Sequence, residues 1–450
     1  MNNLKNKLID SFQDFQNSTK LDKNSASYQN ICTNFEKFSK LGFPIIKDEE
    51  YKYTKFTFLN NIDFNIPDKT KDTSLTYKDI ESFLFDNINS NLLVFENGKI
   101  NWRLTKIQSF RKVIIVGSLK EAIENNELVP NEISQNSHFP DDKLNILNQA
   151  FLNDGAFIQI PDGTDLYEPL HLAFFSDTRN DNYFNQIKNI INIGECCNIK
   201  IIISYHTIGD KNSFSNISTD LNIGNFSNVE FYNLQNDSNN SYIITNTNIS
   251  QKRGSVLNSA AISLHGAFIR NNLNAIHLDE MCESNYNGFY YVDQNNFVDN
   301  HTLMIHAKPN CISNETYKGI IDDNAVAVFN GKILVKPNSP KINAYQKNRN
   351  ILLTDTATVN TKPQLEIFTD DVKCSHGATT GYLEKEHIFY LKARGIDEDR
   401  ARALLLNAFA TEIIEKIKID ELRDEIKKDI SKRLNVEDDF YFCEILESVK

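Results

Sequence analysis

The chain lacks the short signatures of the best-known catalytic sites. It has no Gly-x-x-x-x-Gly-Lys-[Ser/Thr] phosphate loop, no Gly-x-Ser-x-Gly elbow and no His-Glu-x-x-His zinc motif. Because the phosphate loop is missing, the chain is not itself a P-loop ATPase. We therefore expect a chain that does not work as a conventional enzyme.

Long apolar runs and basic clusters are also missing. The apolar runs, such as "KVIIVG" and "NIKIIIS", are far shorter than the roughly 18 residues of a membrane span. The N-terminal "MNNLKNKLIDSFQDFQ" carries acidic residues early and lacks the apolar core of a secretion signal. The net charge of −12 argues against nucleic-acid binding, which depends on lysine and arginine neutralising phosphates. We expect no membrane and no nucleic-acid partner.

Cysteine is scarce and unevenly spaced. The 450 residues contain seven cysteines, an odd number, and two of them, Cys196 and Cys197, are adjacent, which is a poor arrangement for disulfides. This usage is typical of a reduced, cytoplasmic protein rather than a disulfide-bonded secreted one.

The pattern of residues changes twice along the chain, which predicts three domains. Residues 1–154 are mixed and suggest a helical or mixed N-terminal domain. Residues 155–382 consist of short β-branched and aromatic runs separated by Asn, Asp, Ser or Gly, which predicts strands. Two architectures suit this middle part, a β-solenoid and a large sandwich. We favour the solenoid because hairpin turns of the Asn-Gly kind are scarce.

Residues 383–450 have helical periodicity and predict a C-terminal helical domain. The run "YLEKEHIFYLKAR" ends at Gly395, a natural helix C-cap, and Asp397 then caps a second helix. Apolar residues recur every four positions from Ala401 to Ile417, which predicts a broad apolar stripe on that helix. We expect part of this stripe to pack internally and the C-terminal helices to form a docking face for a partner.

The motif "KCSHGATTG" places Cys374 and His376 two residues apart. If this segment is extended, both side chains lie on one face, because residues two apart in a strand point the same way. Such a pair can ligate a soft metal or an iron–sulfur fragment, or act as nucleophile and base. Alternatively, Cys374 is a small buried apolar residue and His376 a hydrogen-bonded turn residue. The following "GATTG" predicts a turn.

The ligand set around this pair is incomplete in the sequence. No Cys-x-x-Cys or His-x-x-x-His accompanies Cys374 and His376. Any metal site built on them therefore needs further ligands from elsewhere, for instance from another chain.

The same region resembles the SufB/SufD family of iron–sulfur cluster assembly proteins. The similarity covers "LLTDTATVNTKPQLEIFTDDVKCSHGATTGYLEKEHIFYLKARGI" and continues into "LLLNAFATEIIEKI". The upstream "LGFPIIKDEEYKYT" is similar to the N-terminal segment of the family, with Tyr51 where tryptophan is usual. The SufB branch has Glu-His-Glu-Ala-Thr where this chain has "CSHGAT", and "FYC" where it has "FYL", with Leu391. Both differences resemble the SufD branch.

The resemblance implies a mainly β fold, a right-handed parallel β-helix core between an N-terminal helical or mixed domain and a C-terminal helical domain. It also implies a complex with a SufB-like homologous subunit and a SufC-like ATPase that builds a nascent iron–sulfur cluster. By direct match, Cys374 and His376 would lie near the SufB interface, with the histidine involved in cluster assembly. Tyr390, Arg394 and Gly395 resemble the region that docks the ATPase. Flavin binding and a homodimer in isolation are left open.

Three other functions compete with this interpretation. The chain could be a SufB-like scaffold subunit that holds the cluster itself. A β-helix carbohydrate-active protein would need secretion and a cleft of paired carboxylates, which the sequence does not support. A hydrolase built on Cys374 and His376 would need an orienting third group and a pocket within this chain.

Overall fold

The β-branched and aromatic runs of the middle of the chain form strands that stack into two long sheets. The structure is a computed structural model. It describes residues 2–19, 21–68, 72–85, 87–107, 115–124, 138–151 and 154–434.

The strands in the described ranges are β1 (Asn91–Glu96), β2 (Lys99–Ile100), β3 (Ile115–Ser118), β4 (Ala156–Ile160), β5 (Leu170–Asp177), β6 (Tyr183–Ile193), β7 (Asn198–Ile208), β8 (Ser213–Ile223), β9 (Asn228–Asn236), β10 (Ser241–Gln251), β11 (Val256–His265), β12 (Phe268–His277), β13 (Glu283–Val292), β14 (Phe297–His306), β15 (Ile312–Ile321), β16 (Val326–Val335), β17 (Ile342–Leu352), β18 (Thr358–Ile367) and β19 (Val372–Gly381). The helices are α1 (Asn2–Ser18), α2 (Ala26–Leu41), α3 (Phe58–Asn61), α4 (Tyr77–Ile80), α5 (Leu119–Glu124), α6 (Lys143–Ala150), α7 (Lys385–Lys392), α8 (Glu398–Ile414) and α9 (Asp420–Arg433).

From β4 onward, successive strands alternate between the two sheets, and each pairs in parallel with the strand two positions later. Tyr183 of β6 lies opposite Ser213 of β8, and Ser213 lies opposite Ser241 of β10. Each pair of strands is thus one coil of a parallel β-solenoid, which has about 8 turns. The predicted solenoid flanked by helices is confirmed, and the sandwich alternative is wrong, because the strands advance by coiling rather than by hairpins.

The first coil is closed by strands from the N-terminal part of the chain. β1 pairs in parallel with β5 and carries β2 as an antiparallel partner, so these strands extend the ten-stranded sheet. β3 pairs antiparallel with β4 and extends the nine-stranded sheet. The opposite end of the solenoid, at β18 and β19, carries no such extension within the described part of the chain.

The interior between the sheets holds apolar side chains stacked coil upon coil. Ile187 lies opposite Ile217, and Ile191 lies opposite Leu221, and all four side chains are buried. Strict alternation along each strand sends these residues inward and their neighbours outward. The apolar area removed from water in this way is the main driving force for the coils.

Asparagine ladders add a second, polar form of stacking. The Asn222 amide donates to Asn192 at 2.8 Å, and Asn272 donates to Asn246 at 2.7 Å on another pair of coils. Parallel, in-register strands bring equivalent side chains to the same height, so each amide can donate to the one before it. The asparagine content therefore has a structural use that the sequence did not reveal.

Helices cover the outer faces of the two sheets. On the nine-stranded sheet, the Phe58 ring of α3 packs against Tyr242, Phe214 and Phe268, with ring centroids 4.3, 5.3 and 5.1 Å apart. On the ten-stranded sheet, Ile413 of α8 belongs to a buried cluster shared with the strands. The helices therefore cover part of each outer face, and the coil of β18 and β19 has no further strand beyond it in the described ranges.

The helix ends follow the capping signals of the sequence. Asp397 caps α8 by accepting a hydrogen bond from the Arg400 backbone N–H, as predicted. The helical periodicity predicted for the C-terminal region also forms α9, whose buried side chains are Leu422, Ile426 and Ile430. The rest of the predicted C-terminal domain, residues 435–450, lies outside the described ranges.

Candidate functional site

The last strand of the ten-stranded sheet, β19, carries the cysteine and histidine singled out by the sequence. β19 pairs in parallel with β17 along its whole length, and no described strand pairs with its other edge. The side chains of β19 are exposed or half-buried throughout, unlike those of the inner strands. The site therefore lies on an open sheet edge.

The predicted turn after His376 is wrong. Gly377–Gly381 continues the strand, and its residues lie opposite Lys347 to Ile351 of β17. The free edge of β17 offers backbone partners to an extended segment, and these outweigh the turn preference of the glycines, while the two threonines favour an extended backbone.

Cys374 and His376 lie on the same face of β19, as the spacing predicts. Cys374 is half-buried beside Val372 and packs against the apolar interior of the solenoid, whereas His376 is exposed. Burial raises the pKa of the Cys374 thiol, against a smaller opposing effect of the Ala344 backbone. A thiol with a raised pKa needs a nearby positive charge or a metal to become a thiolate.

Residues from earlier coils lie directly behind this pair. Ala344 of β17 is in register with Cys374, and Gln346 of β17 is in register with His376. One coil further in, Glu315 of β15 is in register with Gln346. The site thus continues into the solenoid as a column of polar side chains.

The residues predicted to dock an ATPase form a second group, at the end of α7. The Arg394 guanidinium lies over the Tyr390 ring, 3.6 Å from its centroid. Gly395 follows with φ 86°, a left-handed conformation that favours glycine and ends the helical segment. Phe389 and Tyr382 are 74% and 58% exposed beside them. The structure thus groups these three residues on a different element from Cys374 and His376.

The apolar stripe from Ala401 to Ile417 is largely used inside the protein. Ala410, Ile413 and Ile417 are buried against the outer face of the ten-stranded sheet. The accessible apolar surface of the C-terminal region lies instead on α7 and the segment that precedes it.

A buried ion pair joins the N-terminal region to the solenoid, and sequence reasoning missed it. Arg270 donates to Asp299, and both side chains are buried. The Thr54 hydroxyl also donates to Asp299, and the Tyr51 ring lies over the Arg270 guanidinium at 4.0 Å. We call these four residues, Tyr51, Thr54, Arg270 and Asp299, the clamp.

The clamp gives a structural role to a segment that is similar to the N-terminal segment of the family. Tyr51 and Thr54 lie in "LGFPIIKDEEYKYT", and the Tyr51 hydroxyl donates to Asp142, the residue that caps α6. Burial opposes ionisation of Asp299, but the charges of Arg270 and His301, together with the hydrogen bonds from His301 and Thr54, outweigh it and lower the pKa of Asp299. Partners more than 200 residues apart leave no local signal, so only the segment itself was visible in the sequence.

Among the residues that the structure describes, no three histidine, cysteine or acidic side chains converge in a way that could hold a metal ion. None of the helices in these ranges has the length and apolar character needed to cross a membrane.

Comparison with known proteins shows the family to which the chain belongs. The fold and the edge site define a β-solenoid protein with a cysteine–histidine pair at its open end. Residues 174–409 match the model "SUF system FeS cluster assembly, SufBD core domain", and residues 2–172 match "SufBD protein N-terminal region". The chain belongs to the SufB/SufD family of iron–sulfur cluster assembly proteins.

Named relatives agree with this assignment. An iron–sulfur cluster assembly SufBD family protein of Synechocystis is 30% identical over 402 residues, 87% of this chain and 88% of the relative. The iron–sulfur cluster assembly protein SufD of Escherichia coli is 38% identical over 176 residues, 39% of this chain and 42% of the relative. The chloroplastic protein ABCI7 of Arabidopsis thaliana is 28% identical over 365 residues, 74% and 76%.

Proposed function

We propose that the chain is the SufD-type subunit of an iron–sulfur assembly complex with a SufB-like subunit and a SufC-like ATPase. In this complex, Cys374 and His376 support formation of a nascent cluster at the interface with the SufB-like chain. The observation that carries the proposal is their placement on β19, whose outer edge has no strand partner among the described residues. Similarity to a relative named SufD supports the choice of subunit type.

The open end of the solenoid suits a homologous partner. β18 and β19 are the last strands of the two sheets, and most of their residues are half-buried or exposed. Unpaired strand edges expose backbone hydrogen-bonding groups, which proteins cover or pair. A second solenoid of the same family would continue both sheets, because it offers strands of matching spacing.

The chemistry of the pair suits shared ligation of cluster components. A thiolate and a neutral imidazole are ligands for iron and for iron–sulfur clusters, and here they occupy one face of one strand. Two ligands leave room for others, and a partner chain at this edge would supply them. The cluster is then cargo that forms between chains.

We also propose the division into a helical or mixed N-terminal domain (1–154), a β-helix core (155–382) and a C-terminal helical domain (383–450). In this division each role has its own region. The core presents the edge site and the C-terminal domain presents the docking residues.

Replacing His376 by alanine is expected to lower the yield of cluster assembly by about tenfold or more, the scale of losing a metal-site residue. The complex should still assemble and the melting temperature should stay the same, because the imidazole is exposed and makes no described hydrogen bond. Anaerobic cluster reconstitution, partner co-purification and thermal melts measure the three quantities.

His138→Ala is the matched control, since His138 is also exposed and lies on neither β19 nor α7. A normal cluster yield in His376→Ala would refute the proposed role of this residue. A collapsed melting transition would instead assign it a structural role.

Replacing Tyr390 or Arg394 by alanine is expected to weaken ATPase binding, because each variant breaks the stacked pair that presents this surface. A loss of about 1–2 kcal/mol, or roughly tenfold in Kd, is the scale of an interface aromatic or arginine. Titration calorimetry with the purified ATPase measures it, with Lys428→Ala on the exposed side of α9 as the control. Wild-type binding by both variants, each with an unchanged melting transition, would place the docking face elsewhere.

A further inference from the structure

A column of three side chains runs from the open end into the solenoid. His376, Gln346 and Glu315 occupy the same register on β19, β17 and β15, so all three face the same way, one coil apart. Gln346 and Glu315 are only 1% and 4% exposed. Buried polar side chains in an otherwise apolar interior are costly unless they are hydrogen-bonded.

Only one of the two polar atoms of the Gln346 carboxamide has a hydrogen-bond partner among the described residues. Its Nε2 donates to Glu315 Oε2 at 2.7 Å, while its Oε1 is buried without a hydrogen-bond partner among the described residues. The space for this amide comes from Gly331 on the opposite sheet, because a Cβ there would lie 2.2 Å from Nε2. The interior is thus shaped to hold an amide whose carbonyl is available for another donor.

We propose that Gln346 is a positioning residue for His376, whose ring N–H donates to the Gln346 side-chain carbonyl, and that Glu315 holds the amide in the orientation this requires. The inference rests on the proposed role of His376 in cluster assembly. In-register strands lie about 4.8 Å apart, within reach of an imidazole that turns toward the coil behind it. A partner chain on β19 favours this turn, because it removes the water that otherwise solvates the ring.

The consequence is control of the histidine tautomer. The ring nitrogen that donates to Gln346 keeps its proton, so the other nitrogen presents its lone pair to iron or to a proton. An ionised Glu315 can only accept, which directs Nε2 of Gln346 toward it and the carbonyl toward His376. A protonated Glu315 can donate to the carbonyl and allows the amide to turn over.

The orientation should therefore respond to pH. Burial raises the pKa of Glu315 to about 7, against the opposing hydrogen bond that Gln346 donates to it. The other titratable groups that interact with Glu315 are the phenols of Tyr286 and Tyr317, both buried. Their pKa values are raised by burial, so they stay neutral, and the carboxyl is the group that changes charge near neutrality.

The test is the ¹⁵N-histidine NMR spectrum of the full chain bound to its SufB-like partner at pH 8, with His376→Ala used for assignment. The wild type should show one dominant His376 tautomer. Gln346→Leu, which keeps the volume and removes the amide, should give a mixture of both. Glu315→Gln should give a partial mixture, and it serves as the second variant if Gln346→Leu does not fold. The wild-type tautomer ratio in every folded variant overturns the proposal.

Gln364→Leu is the control, because Gln364 lies on the neighbouring strand β18 and faces away from the interior. It should leave the His376 signal unchanged. The spectrum also separates this inference from the proposed function. A lower cluster yield in His376→Ala, with an unchanged tautomer in Gln346→Leu, overturns the positioning role alone. A normal cluster yield in His376→Ala overturns the proposed function, whatever the tautomer.

Discussion

Replacing Asp299 by alanine is expected to lower the free energy of unfolding by about 3–5 kcal/mol, the cost of leaving a buried charge without its partner. Asp299 is the counterion of the fully buried Arg270 and also accepts from Thr54. Its removal leaves the guanidinium in a place that water does not reach. Urea unfolding followed by circular dichroism measures the effect.

Two further variants separate the cost of an unpaired buried charge from the effect of losing an ordinary ion pair. Asp141→Ala removes one partner of the exposed pair between Lys37 and Asp141 and should change stability by less than about 1 kcal/mol. The double variant Arg270→Met/Asp299→Leu removes both charges and should recover much of the loss. A loss in Asp299→Ala no larger than that in Asp141→Ala would show that the clamp does not hold the N-terminal region to the solenoid.

Replacing Glu315 by glutamine is expected to stabilise the protein above neutral pH and to flatten the pH dependence of its stability. The pKa of Glu315 is raised by burial from 4.5 to about 7 in the folded protein. Unfolding therefore releases a proton between these values, and stability falls as pH rises from about 4.5 to 7. The full difference is about 3 kcal/mol at about 1.4 kcal/mol per pKa unit.

The measurement is the free energy of unfolding at pH 5 and pH 8 for wild type and Glu315→Gln. The variant should gain up to about 3 kcal/mol on the wild type between the two values, since glutamine carries no proton to release. Glu421→Gln, on the exposed side of α9, is the control and should follow the wild type at both pH values. Parallel curves for Glu315→Gln and wild type would show that Glu315 does not ionise in this range.

Local patterns in the sequence predicted the elements well. Short apolar runs predicted the strands, and the Asp397 cap and the helical period predicted α8 and α9. The shared face of Cys374 and His376 followed from their spacing once the segment was extended. These features depend on residues a few positions apart, which is why they can be read from the chain alone.

The features that the sequence did not predict depend on which residues lie next to each other in neighbouring coils. Gly377–Gly381 is a strand because β17 offers it an edge, and asparagines form ladders because coils bring them to one height. Part of the apolar stripe of α8 was expected to pack internally, but only the structure shows that the ten-stranded sheet is what covers it. None of these neighbours is close in sequence.

The sequence by itself favoured the solenoid over a sandwich, and it pointed to the helical C-terminal region, to the family and to Cys374 and His376. Periodicity and a long motif depend on residues that are close in sequence, so they can be recognised without knowledge of the fold. Only the tertiary structure decided that the outer edge of β19 has no strand partner among the described residues, that Arg270 meets Asp299 and Tyr51, and that Gln346 and Glu315 stand behind His376. The physical reason is that each turn of the solenoid takes about thirty residues. The coil register and the pairing of buried charges therefore depend on residues that are far apart in sequence and meet only when neighbouring turns stack.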